Sequence, residues 1–199
     1  MRVSGLIAVC CLGLVAAGTT LSARQQTAPA PAQPRPLPTL VVEVQNIFNN
    51  IRNNMTKAAD QFPEDKYGWS PTPDVRTWGG LLQHIIDDNN GACFLLAGET
   101  AAQPRLDNGG KPTDAGKGMT KAAIVKALAD SFARCDKAFA AVTTENMLER
   151  NGTGNRSKIG ALIYDTQHIN EHYGNIVTYM RLQGMVPPSS APRGGGPAR

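Results

Sequence analysis

Apolar residues recur every three or four positions between Leu40 and Gln61, at Val41, Val44, Ile47, Phe48, Ile51, Met55 and Ala58, which marks one stripe of a helix. Pro63 ends that stretch. The connection EDKYGWSPTPDVR carries Pro71 and Pro73 and leads to Asp74 or Thr77 as the cap of a second helix. That helix runs to about Ala97, ahead of Gly98, with Trp78, Leu81, Leu82, Ile85, Ile86, Leu95 and Leu96 as its apolar positions. A Gly-, Pro- and Asp-rich loop follows from Gly98 to Gly118, and Thr120 then caps a third helix reaching about Val142. Past Gly152 and Gly154, Ser157 caps a fourth helix that ends at Leu182 or Gln183, with Gly184 as its stop and Pro187 and Pro188 beyond it. No stretch alternates as a half-buried strand does, so the pattern predicts an all-α, up-and-down four-helix bundle.

The ends of the chain read differently. Arg2, the apolar run Val3 to Ala17 and the small residues Gly18 and Ala23 form an export signal over residues 1–23, too short for a lasting membrane span. The Pro- and Ala-rich residues 24–39 form an extended linker, 40–186 the bundle, and 187–199 a disordered tail. An exported chain is expected in the periplasm or outside the cell, with no stable membrane insertion once the signal is cleaved.

The formal charge of +4 disappears on this partition. Fifteen of the twenty basic residues and all sixteen acidic ones lie between residues 40 and 190, so the bundle itself is near neutral. It lacks the basic face that a nucleic-acid partner requires. Of the cysteines only Cys93 and Cys135 fall within the bundle, and in an oxidising compartment a pair favours a disulfide, two separate buried thiols being the alternative.

The stretch HINEHYGNIVTYMRLQGMVPPSS contains two of the three histidines. His168 and His172 stand about 40° and about 6 Å apart on a helix and can reach one ion together. They flank the apolar face made by Leu162, Ile169, Tyr173, Ile176 and Met180, and His84 borders the core on the second helix. Three histidines on two inward helical edges suit a three-ligand metal site with a position left for water or substrate. Three partly buried histidines bonded to carboxylates would give the same spacing. Asp165 and Asp88 are placed to orient an imidazole, complete the shell or accept a proton, unless they are ordinary surface acids. Cys93 lies about 180° from His84 and is not expected to bind the same ion.

HINEH also matches the inverted zincin motif, with Glu171 as general base. No acidic residue follows Glu171 to serve as the further ligand, and the wheel places Glu171 on the polar side, which argues against a protease.

The helix order, the segment VRTWGGLLQHI around His84 and the paired histidines of the fourth helix resemble the DinB superfamily, in its exported branch, over about Leu40 to Ser190. The resemblance implies a four-helix bundle of up-down-down-up order that holds a divalent ion, zinc or nickel, through His84, His168 and His172. It also makes a Cys93–Cys135 disulfide suitable. Some members are transferases or isomerases that use a small thiol, a cosubstrate that an exported chain would lack. Three functions therefore stand open: a metal-dependent hydrolase of an unknown small-molecule substrate, a non-catalytic metal- or partner-binding bundle, and a thiol-dependent transferase. A homodimer is an open assembly state.

Overall fold

The computed structural model describes residues 37–99, 119–152 and 154–192. The signal, the linker up to residue 36, the loop 100–118 and the residues from 193 onward lie outside the described residues.

Helix α1 spans Leu40–Gln61, α2 Trp78–Cys93, α3 Lys121–Ala141 and α4 Lys158–Leu182. Each begins at a hydroxyl cap that takes up an otherwise unpaired backbone N–H: Thr39 from Val42, Thr77 from Gly80, Thr120 from Ala123 and Ser157 from Gly160. Ser157→Ala is expected to cost about 1 kcal/mol and lower the melting temperature by about 2–4 °C, read by far-ultraviolet circular dichroism. Glycines with positive φ close the helices where the chain must turn left-handed. Gly184 (φ 72°) follows α4, and Gly98 (φ 78°) ends the turns after α2.

Regular α2 stops at Cys93, short of the expected Ala97. The path continues as hydrogen-bonded turns, with Ala97 N–H donating to Cys93 and Glu99 N–H to Phe94, before Gly98 closes it. Residues 187–190, assigned by the sequence reading to the tail, form a short 3-10 turn at Pro188–Ser190 held against α4. There Ser189 N–H donates to the Tyr173 hydroxyl, and Arg181 donates to Ser190 Oγ.

α1 and α2 lie across the bundle from each other, as do α3 and α4, so α2 is flanked by α3 and α4. Phe48 from α1 packs edge-on to Phe132 and tilted against Phe139 of α3. At one end Phe62 stacks on Trp78 with centroids 3.6 Å apart, and Tyr67 meets both rings. Two apolar positions of the expected stripes face out: Ile47 is 55% exposed and Leu95 44%. Ile47 sits about 70° from the centre of the buried arc, just beyond its edge.

α2 is buried on several sides and carries polar residues into the interior, among them Gln83, Asp87, Asn89 and Asn90. Asn89 donates to Ser131 Oγ at 3.0 Å, which in turn donates to the Leu128 carbonyl, tying α2 to α3. Among the described residues no helix is long and apolar enough to cross a membrane.

Candidate metal centre

α2 and α4 bring His84, Asp88, His168 and His172 together, with one ligand-type atom of each within 4.8 Å of the others. The fourfold spacings His84/Asp88 and His168/His172 place each pair one turn apart on a single face. The Nε2 atoms of His168 and His172 face each other at 2.9 Å. Asp88 Oδ2 lies 3.1 Å from His84 Nε2 and 3.3 Å from His168 Nδ1. The His84 ring stands edge-on to both α4 imidazoles, with centroids 4.7 Å from His172 and 5.4 Å from His168.

Two observations make this donor set fit a divalent ion. Facing Nε2 atoms at 2.9 Å can share only one proton, whereas an ion uses the lone pair of each. Burial, and then the neighbouring His84, His168 and Arg76, push the His172 imidazole down to about pKa 3, so it keeps its lone pair at neutral pH. Its Nδ1 is buried with no hydrogen-bond partner among the described residues. Asp88 is placed to hold the Nδ1–H of His168, the carboxylate support usual for a ligand imidazole, or to enter the shell itself.

Asp165, three residues before His168 on α4, also lies against the two cysteines. It is 1% exposed, and its Oδ2 lies 3.8 and 3.7 Å from the sulfurs of Cys93 and Cys135. Those two cysteines, on α2 and α3, are joined in a disulfide with Cα atoms 5.0 Å apart. Burial, with the charge of Asp88 second, raises the Asp165 carboxyl to about pKa 7. Glu171 is exposed on α4.

A cavity of about 290 Å³ adjoins the cluster and includes Asp88, His168 and Asp165 in its wall. Its outer side is made by Asn151, Asn155 and Arg156, whose guanidinium lies 4.0 Å over the Tyr164 ring. The hairpin-like closure that shapes this rim rests on the Arg150–Ser157 bridge and the bond from Asn151 N–H to the Arg156 carbonyl. Sequence reasoning passed over this rim and over Arg76, whose Nη2 lies 3.5 Å from His84 Nδ1. Their positions beside the caps Thr77 and Ser157, at the starts of the two histidine-bearing helices, were the available signal.

The chain shares its fold with a conserved protein from Enterococcus faecalis whose crystal structure superposes with a TM-score of 0.59 at 14% identity, over 73% of this chain and 98% of that one. Among curated proteins nothing matches the sequence. The family model of the DinB superfamily matches residues 47–176, a span that contains the three histidines and Asp88. With four α-helices and a His/Asp cluster suited to a metal ion among its described residues, the chain belongs to the DinB superfamily.

Proposed function

We propose that this is an exported metal-dependent hydrolase of a small molecule, with zinc or nickel held by His84, His168 and His172. The observation that carries the reading is the cavity: its wall includes Asp88 and His168 of the cluster together with the buried Asp165, so a small ligand can reach the cluster from one side. A bound ion in such a site supplies a water of lowered pKa and polarises a carbonyl or phosphoryl oxygen. The chain's own residues do the rest. Asp88 orients His168 through its Nδ1. Asp165, raised to about pKa 7, suits a group that takes and returns a proton near neutrality. The apolar run Val3–Ala17 and the disulfide both support export, because cytosolic thiols are kept reduced.

A second reading is favoured by the position of Asp88 Oδ2, 3.1 and 3.3 Å from nitrogens of two histidines. If Asp88 is a fourth ligand the shell is closed and the ion is structural. Cobalt substitution separates the two. An open site is expected to change its visible spectrum on addition of azide, and a spectrum indifferent to azide at saturating concentration would select the closed, non-catalytic site.

A further inference from the structure

Outside the histidine cluster, a second group of ligand-type atoms lies in the core: Sγ of Cys93, Sγ of Cys135 and a carboxylate oxygen of Asp165, all within 4.8 Å of one another. All three side chains are buried, at 0%, 0% and 1% exposure. With the disulfide closed, this arrangement leaves the carboxyl poorly served. Asp165 Oδ2 faces two sulfurs that carry no proton, and Oδ1 has no hydrogen-bond partner among the described residues. A buried carboxyl without donors costs free energy and calls for a physical reason.

The distances supply one. A tetrahedral zinc ion bonded at about 2.3 Å to sulfur and about 2.0 Å to a carboxylate oxygen sets sulfur and oxygen about 3.5 Å apart. The sulfur-to-Oδ2 distances are 3.8 and 3.7 Å. Two sulfurs on one such ion stand about 3.8 Å apart, close to the spacing that two unbonded sulfurs adopt anyway. Asp165 also lines the cavity, so a remaining coordination position has a route to solvent.

We propose that Cys93, Cys135 and Asp165 form a second metal site, selective for a thiolate-preferring ion such as zinc, which exists only when the disulfide is reduced. The reductant is a small dithiol, which closes its own disulfide as it delivers two electrons and two protons. The S–S bond breaks and two thiols form. Ion binding then makes two metal–sulfur bonds and one metal–oxygen bond, with the two thiol protons, and the Asp165 proton where the carboxyl holds one, released to solvent. The oxidised chain has one metal site and the reduced chain two. The second site uses none of the histidines.

The test is a cobalt(II) titration, oxidised and reduced, of the full chain carrying Cys10→Ser and Cys11→Ser, so that Cys93 and Cys135 are its only cysteines. Reduction uses a dithiol in denaturant, followed by its removal, anaerobic refolding and a count of two free thiols per chain. The oxidised protein is expected to show no thiolate-to-cobalt charge transfer. The reduced protein is expected to take an additional equivalent with strong near-ultraviolet charge-transfer absorption. His84→Ala keeps that absorption, so failure of the histidine site and failure of this one are told apart. Cys135→Ser removes it, and Asp165→Asn, which preserves shape and both thiols, weakens the additional equivalent more than about tenfold. Two free thiols in a folded chain with no charge-transfer band would mean that they only donate S–H to Asp165, and would overturn the proposal. Unchanged affinity in Asp165→Asn, or a reduced chain that cannot refold even with cobalt or zinc present, would overturn it as well.

Discussion

Replacing His84 with alanine is expected to take the metal content of the purified protein from about one ion per chain to none measurable. His168 and His172 sit on one helix and remain as an i, i+4 pair, but a ligand from α2 is what joins the two helices through the ion. Without it the ion retains two imidazoles and gains no closure of α2 against α4. Metal at a hundred times its dissociation constant stabilises a folded chain by about 2.7 kcal/mol, a rise in melting temperature of about 5–10 °C for a chain of this size. That rise should appear on adding zinc to the wild-type protein and be absent in His84→Ala. Glu171→Gln is the control, since Glu171 is exposed, about 80° around α4 from the middle of the histidine pair, and its loss should leave content and thermal shift unchanged. Full metal content in His84→Ala would end the three-histidine assignment, whatever the activity.

The helices were legible because a period near 3.6 is a local signal, joined ahead of α2, α3 and α4 by a second, a Thr or Ser one residue before the helix. Thr39, Thr77, Thr120 and Ser157 all cap as side-chain acceptors, a property each carries in its own few residues. The proximity of His84 to Asp88, and of His168 to His172, is likewise local, being one helical turn. What the wheel could not supply is which neighbour stands opposite. It set Asp165 near the histidine pair, with which the side chain shares a cavity wall; that Asp165 also meets the disulfide between α2 and α3 depends on packing between helices far apart in sequence. Ile47 and Leu95 were missed for the same reason: periodicity finds the centre of a buried arc, and neighbouring helices decide its edge. The rim of the cavity lies in the connection 151–156, where no periodicity exists to read.

The Asp165→Asn protein, oxidised and free of metal, is expected to be more stable than the wild type at pH 8 and close to it at pH 4. The sign follows from linkage. The Asp165 carboxyl is raised from 3.8 to about 7, first by burial and then by Asp88. Between those values the folded chain holds a proton there that the unfolded chain has released, so the wild type loses stability as pH rises through that window and is level above it. At 1.36 kcal/mol per pH unit the full loss approaches about 4 kcal/mol, and the neutral amide, which does not titrate, escapes it. Asparagine keeps the shape and the burial, so near pH 4, where the loss has only begun, the two proteins differ mainly by the exchange of hydroxyl for amide. Urea denaturation at several pH values, with chelator present and the disulfide intact, measures the difference directly. Curves that stay parallel from pH 4 to pH 8 would mean that the carboxyl is ionised or hydrated throughout. In that case Asp165 could not hold a proton near neutrality, and the proton-accepting role proposed for it in hydrolysis would have to pass to Asp88, whose carboxylate lies among the histidines.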